Sequence, residues 1–172
     1  MESLNLRAAR PPDARAIAEI HIAAWRAAYQ GLMPEDYLAR LDIDDRAAQW
    51  EKSLARRGPA RVALAEADGT IAGFCIYGPT RDEAPPEIAE LYAVNVHPAH
   101  WRRGAGRLLC EHALREAAAR SHTAMTLWVL NGNERARRFY ERLGYAPDGV
   151  ERSESKLIGS PLHELRYRKA IR

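Results

Sequence analysis

The chain has 172 residues and a mass of 19.3 kDa, which suits one domain, 1–172, with one hydrophobic core. Hydrophobic residues make up 47% and charged residues 28%, a composition that excludes a disordered or fibrous protein. The formal net charge of +3 does not establish a nucleic-acid partner, and no apolar run reaches the roughly 20 residues of a membrane-spanning helix. The first residues lack a signal-peptide pattern, so we expect a cytoplasmic protein.

One strand and then mostly helix are predicted for the first third of the chain. Residues 4–8 alternate between apolar and polar types and end at two prolines, which is typical of a strand. Apolar residues then recur at helical spacing from Asp13 to about Tyr29. Pro34 opens a short helix, and Asp42 caps another that reaches about residue 56.

The rest of the chain alternates between predicted strands and helices. Asp68-Gly69 separates two β-rich runs and indicates a hairpin. A strand–loop–helix–strand crossover follows, then a helix ended by Gly144 and two weaker strands. The predicted strands cover 61–66, 70–77, 87–96, 125–129, the region around Val150 and 162–167, and the predicted helices begin after Gly106 and at Asn133.

The turn between Val96 and the helix that begins after Gly106 has the features of an anion-binding site. Gly104 and Gly106 let the backbone approach a ligand closely, and the helix start offers unpaired N–H groups at its positive dipole end. Arg102, Arg103 and Arg107 add positive charge in the same turn. A phosphate site is therefore predicted, with a plain helix start and solvated arginines as the structural alternative. The sequence fits neither a P-loop nor a dinucleotide fingerprint, because Arg107-Leu108 follows Gly106 and residue 109 is Leu.

Asn133 and Tyr140 form a second candidate pair. Asn133 is a good helix N-cap, and Tyr140 lies two turns further along the same face. Phe139 and Leu143 are spaced as a core pair, and Tyr140 taken alone suits a structural role better than a catalytic one.

Together these segments resemble the GNAT superfamily of N-acetyltransferases, which move an acetyl group from acetyl-coenzyme A to an amine. The first matching motif consists of Val96, Pro98 and the run Trp101-Arg102-Arg103-Gly104-Ala105-Gly106. The second consists of Asn133, Ala136, Phe139, Tyr140, Gly144 and Tyr145. The resemblance extends over nearly the whole chain and includes the Trp25-Arg26-x-x-Tyr29 helix end. Trp101 departs from the usual Gln or Arg, at a position that mainly offers backbone to phosphate.

The resemblance implies an α/β (α+β) fold, with a mixed, mostly antiparallel central sheet of six to seven strands flanked by helices. It implies acetyl-coenzyme A as cosubstrate, a primary amine as acceptor and direct transfer through a tetrahedral intermediate. Tyr140 would face the sulfur and protonate the leaving thiolate. The implied coenzyme-binding residues are Val94, Asn95, Val96, Arg102, Arg103, Gly104, Ala105, Gly106, Arg107, Asn133 and Tyr140.

Glu90 is the candidate base, since an amine must lose a proton before it attacks. By period two it shares a strand face with Val94 and Val96, where burial would raise its pKa. The alternatives are a sheet-edge charge, a pairing with an arginine, or a water chain as the base. Some relatives use a base where this sequence has Trp128.

The histidines show no metal spacing, so no metal is expected. Cys75 and Cys110 are interpreted as buried thiols rather than nucleophiles.

The acceptor is less defined by the sequence. Trp25, Tyr29 and Tyr92 are candidates for its pocket, and acidic residues of the 81–87 loop for attracting a cation such as a polyamine or a protein N-terminus. The alternative is that the aromatic side chains are core and the acidic ones solvated.

Two rival functions remain. One is a non-catalytic coenzyme A-binding module, and the other, less favoured, is an arginine-rich nucleic-acid binder. No membrane or nucleic-acid partner is expected, and the sequence leaves open whether the chain forms a homodimer.

Overall fold

A computed structural model describes residues 3–172 and shows a seven-stranded sheet between helices. The strand order is β1-β2-β3-β4-β5-β7-β6, in which β4 and β5 are parallel and every other pair is antiparallel. The strands are β1 (Leu4–Ala8), β2 (Arg61–Ala67), β3 (Thr70–Pro79), β4 (Ile88–Val96), β5 (Ala124–Leu130), β6 (Ala146–Glu154) and β7 (Leu162–Ala170). The expected mixed, mostly antiparallel sheet is confirmed.

Five α-helices of residues 3–172 cover the sheet. They are α1 (Ala14–Ala28), α2 (Glu35–Ala39), α3 (Ile43–Ala55), α4 (Ala105–Ala119) and α5 (Glu134–Arg142). One core cluster joins α1 and α3 to the sheet through Ile17, Trp50 and Phe74. The larger cluster joins α4 to the opposite face, where Leu109 and Cys110 are fully buried.

The predicted elements are present with small shifts at their ends. Asp68 and Gly69 both have positive φ, of 48° and 79°, as the two central residues of the predicted hairpin turn require. The Asp42 carboxylate caps α3 by accepting from the backbone N–H of Asp45. β6 and β7 are longer than the sequence indicates, because their pairing with each other and with β5 extends them.

A β-bulge interrupts β4 and overturns one sequence-based expectation. Leu91 pairs with Tyr77 but Ala93 pairs with Ile76, so β4 has one extra residue, Tyr92, at this point. The bulge shifts the alternation of side chains. Val94 therefore lies on the α4 side of the sheet with Leu91, and period two no longer places it on the same face as Glu90.

The two central strands separate soon after they meet. β4 pairs with β5 only from Ile88 to Glu90, opposite Ala124 to Thr126. Beyond Glu90, this side of β4 pairs with no other strand in the described part of the chain. A wedge-shaped opening therefore forms between β4 and β5 in the middle of the sheet.

No helix within residues 3–172 is both long and apolar enough to cross a membrane.

His21, on α1, gives the fold a predicted acid sensitivity. Its ring packs against Trp25, Trp50 and Phe74, and Nδ1 accepts a 3.4 Å hydrogen bond from the indole N–H of Trp50. Burial, together with Arg46, lowers the pKa of His21 from 6.5 to about 4. Between these values the unfolded chain binds a proton that the native chain does not.

We therefore expect the free energy of unfolding to be constant above about pH 6.5 and to fall by about 3 kcal/mol as the pH drops towards 4. Urea unfolding at a series of pH values measures this loss. His21→Gln should flatten the slope in this window, whereas His163→Gln, which changes an exposed histidine of β7, should keep it. An unchanged slope in His21→Gln would contradict the assignment.

Candidate active site

A cavity of about 810 Å³ occupies the opening between β4 and β5. Its walls come from α1, β4, the turn before α4, β5, α5 and the β6–β7 hairpin. Every site residue predicted from the sequence lines it except Glu90 and Arg103. Those that line it are Trp25, Tyr29, Tyr92, Val94, Asn95, Val96, Arg102, Gly104, Ala105, Gly106, Arg107, Asn133 and Tyr140.

One end of the cavity is strongly basic. Arg102 and Arg135 both line it, and neither has a carboxylate partner within salt-bridge distance among residues 3–172. The Arg135 guanidinium carbon lies 3.4 Å from the centre of the Trp101 ring, and burial together with Arg102 lowers the pKa of Arg135. Two neighbouring unpaired cations favour an anion between them.

Trp101, which replaces the usual Gln or Arg of the motif, packs at this basic end of the cavity. Its indole N–H donates a 2.7 Å hydrogen bond to the carbonyl oxygen of Val96, and its ring carries Arg135. The bond fixes the turn after β4 against the strand end, so this large side chain is part of the wall.

The start of α4 depends on two glycines for different reasons. Gly104 caps the helix in the left-handed conformation, with φ of 91°. A Cβ on Gly106 would lie 3.2 Å from Cζ of Phe139, closer than ordinary van der Waals contact. Gly106 therefore lets α4 and α5 approach each other beside the cavity.

α5 presents Asn133 and Tyr140 to the same cavity. The Asn133 side-chain oxygen accepts from the backbone N–H of Ala136 at 3.1 Å, which caps the helix as predicted. The amide nitrogen of Asn133 remains available to a ligand. Tyr140 packs against the rings of Phe139 and Tyr145, and its hydroxyl has no hydrogen-bond partner in the described part of the chain.

Tyr140 is protonated at neutral pH, because burial raises its pKa well above 10. The same environment disfavours thiolates. Burial raises the pKa of Cys75 to about 12 and also raises that of Cys110, and both side chains are fully buried. These cysteines are core thiols rather than nucleophiles.

The opposite end of the cavity is aromatic and acidic. Trp25 and Tyr29 meet edge to face with their ring centres 5.2 Å apart, and Trp128 lines the same cavity. Two half-buried carboxylates complete this end: Glu154 at the end of β6 and Glu164 on β7. The sequence did not predict either carboxylate as a site residue, because its pattern in this region indicates only two weak strands.

The acidic loop before β4 is placed differently from the prediction. Asp82 accepts from the Trp128 indole N–H at 3.2 Å and pairs with Arg166 at 3.4 Å. It therefore lies outside the cavity and positions Trp128, which lines it. The Arg152 guanidinium stacks on the Trp128 ring, with its carbon 4.1 Å from the ring centre. Glu83 and Glu87 are exposed and do not line the cavity.

Glu90 is fully buried but lies behind the cavity wall. It accepts three hydrogen bonds from Arg81: from the backbone N–H at 2.8 Å, from Nε at 3.2 Å and from Nη2 at 2.6 Å. This is the arginine pairing that the sequence left open. A carboxylate so bound is poorly placed to take a proton from an acceptor, and the geometry favours a structural role for Glu90 over the predicted one as base.

Arg103 also lies outside the cavity lining. Within residues 3–172, no group of three His, Cys, Asp or Glu side chains is arranged to hold a metal ion.

Comparison with known proteins identifies the family. Residues 15–145 match the model of the acetyltransferase (GNAT) family. The uncharacterized N-acetyltransferase YuaI of Bacillus subtilis is 30% identical over 163 residues, which cover 94% of this chain and 90% of YuaI. The chain therefore belongs to the GNAT family of acetyltransferases.

Solved structures show the same fold. The PaiA N-acetyltransferase of Thermoplasma acidophilum, in complex with coenzyme A, superposes with a TM-score of 0.74 at 18% identity and covers 98% of this chain and 99% of its own. YncA of Salmonella typhimurium, a protein solved with acetyl-coenzyme A, gives 0.70 at 23% identity over 99% and 95%. The resemblance seen in the sequence is confirmed for the family and for the fold.

The cap at Asn133 predicts a stability effect that is separate from ligand binding. Asn133→Ala removes the acceptor for the Ala136 N–H, so we expect a loss of about 1 kcal/mol in the free energy of unfolding. Asn133→Asp keeps the acceptor and should stay near the original stability. Urea denaturation of both variants without ligand checks this, and equal losses in the two would contradict the capping role.

Proposed function

We propose that the protein transfers an acetyl group from acetyl-coenzyme A directly to a primary amine. The observation that carries this proposal is one continuous cavity with a basic end, a protonated tyrosine along its wall and an acidic aromatic end. The cosubstrate would enter from the basic end and the amine from the other. The coenzyme A and acetyl-coenzyme A complexes of the two solved relatives support this choice of cosubstrate.

The basic end suits the phosphates of the coenzyme. Arg102, Arg107 and Arg135 line it, and the free N–H groups at the start of α4 add a positive dipole end. Arg107 pairs with Glu111 at 2.7 Å and Arg138 with Glu134 at 3.2 Å, so Arg102, Arg135 and Arg142 are the lining arginines without a carboxylate partner among residues 3–172.

The unpaired side of β4 suits the pantetheine arm. A chain of amides can hydrogen-bond there as an added strand does, using main-chain groups of Val94 and Asn95. The carbonyl oxygen of Val96 already accepts from Trp101, so the main-chain contacts of the arm would come chiefly from the preceding residues. Asn133 would contact the coenzyme through its free amide.

The reaction requires a neutral amine, a stabilised oxyanion and a protonated leaving group. With Glu90 bound to Arg81, the amine would lose its proton to water in the open cavity. Its nitrogen then attacks the thioester carbon, and main-chain N–H groups near Val94 stabilise the oxyanion. When the C–S bond breaks, Tyr140 gives its proton to the sulfur, and the proton that the attached nitrogen must lose passes through water to restore the Tyr140 hydroxyl. The buried setting that raises the pKa of Tyr140 also disfavours a free thiolate.

Release of free thiol from acetyl-coenzyme A, assayed across a panel of amines, tests the proposal. Turnover with an amine supports it. Thermal stabilisation by coenzyme A without turnover would instead indicate a non-catalytic binding module.

Tyr140→Phe removes the proton donor and little else, because the ring remains and the hydroxyl has no partner in the described chain. We expect kcat to fall by about 10²-fold, the lower range for a positioned acid, with the coenzyme A dissociation constant within about twofold. Steady-state kinetics and calorimetric titration measure the two effects. An unchanged kcat would remove Tyr140 from the mechanism.

Arg135→Gln should weaken coenzyme A binding about tenfold, since it removes an unpaired cation beside Arg102. Arg120→Gln is the control, because it makes the same charge change at an arginine that lies outside the cavity lining and pairs with Glu116 at 3.3 Å. Titration of both variants with coenzyme A, and with its form lacking the ribose phosphate, shows which phosphate is involved. Equal weakening in the two variants would indicate only a general loss of charge.

A further inference from the structure

The charges that line the cavity are separated by position. The lining arginines belong to the turn before α4, to the first turn of α4 and to α5, whereas the lining side chains from β6 and β7 that carry charge are Glu154 and Glu164. No lysine or arginine lines the cavity from the β6–β7 hairpin, which lies wholly within the described residues. Among charged side chains, the β6–β7 side of the cavity therefore presents carboxylates alone.

Neither carboxylate is fully occupied by its neighbours. Glu164 uses Oε2 in a 2.6 Å pair with Nε of Arg152, and Glu154 uses Oε1 to accept from the backbone N–H of Lys156 at 2.6 Å. Each keeps its other oxygen free of hydrogen bonds from residues 3–172. Arg152 lies behind this wall, stacked on Trp128, and is not itself part of the lining.

The surfaces between the carboxylates and Tyr140 suit an alkyl chain. Trp25, Tyr29 and Trp128 form aromatic walls, and Leu157 and Leu162 add apolar surface. Leu157 is 42% exposed, although large apolar side chains are seldom left uncovered in this protein. Aromatic faces also attract ammonium groups. Glu164 is close enough to Tyr29 to contribute, after burial, to the raised pKa of the phenol.

We propose that the preferred acceptor is an elongated alkyl diamine, whose distant ammonium group binds between Glu154 and Glu164 while its near amine is acetylated beside Tyr140. This inference rests on the proposed acetyl transfer and narrows its substrate class. Two carboxylates at the far end would stabilise a second positive charge, and a plain alkyl amine has no group to place there. The aromatic walls hold the connecting methylene groups.

Matched pairs of amines test the inference, because they differ only in the distant ammonium group. The pairs are putrescine with butylamine, cadaverine with pentylamine, and hexamethylenediamine with hexylamine. We expect kcat/KM for at least one diamine to exceed that of its partner by about tenfold, mainly through KM. The pair with the largest ratio indicates the distance from the carboxylates to the reacting carbon.

Glu154→Gln and Glu164→Gln should each reduce this ratio several-fold by weakening the diamine alone, with the monoamine within about twofold. Glu154→Gln is the cleaner variant, since Glu164→Gln also leaves Arg152 without its partner. Glu151→Gln is the control: it makes the same charge change on β6, at a 57% exposed side chain outside the cavity lining.

The outcomes separate the two proposals. Thiol release with monoamines and diamines at equal efficiency, or a ratio that Glu154→Gln and Glu164→Gln leave unchanged, would overturn the diamine inference and leave acetyl transfer to amines intact. No thiol release with any amine, despite thermal stabilisation by coenzyme A, would overturn the proposed function and this inference with it.

Discussion

The short contact between β4 and β5 is the constraint on which the rest of the site depends. Three residue pairs join the strands, and the bulge at Tyr92 then changes the course of β4. A sheet that stayed paired would have no opening at its centre. Because it opens, the turn before α4 and the start of α5 meet across a gap, and backbone groups of β4 are left for a ligand. Gly106 allows the close approach of α4 and α5 that bounds this gap.

The charge distribution follows the same geometry. The sequence from Trp101 to Arg142 contains nine arginines and four glutamates, 9 − 4 = +5, whereas the whole chain has only +3. In the fold, this segment supplies the arginines of the basic end of the cavity, and the later hairpin supplies the carboxylates Glu154 and Glu164. A cavity with opposite charges at its two ends can orient an anionic cosubstrate and a cationic acceptor before they react.

Local signals explain what the sequence could predict. The hairpin at Asp68-Gly69, the cap at Asn133 and the glycine turn depend on neighbours a few residues away, and all three are present in the structure. Long-range pairing explains what it could not. The roles of Glu154 and Glu164 depend on how β6 and β7 pair beside β5, and nothing in their own segments indicates the cavity. The bulge at Tyr92 likewise breaks the period-two rule that placed Glu90 beside Val94.

The geometry at Glu90 favours a structural role for this buried carboxylate. It pairs with Thr126 at the last position where β4 and β5 are still joined, and its side chain is fully buried. A charge in such a place is tolerated only when it is neutralised and hydrogen-bonded, and Arg81 does both through three bonds. The pair therefore ties the loop before β4 to the point where the strands separate. The same loop carries Asp82, which accepts a hydrogen bond from the Trp128 indole N–H. This one loop therefore contacts both the point where the strands separate and the aromatic end of the cavity.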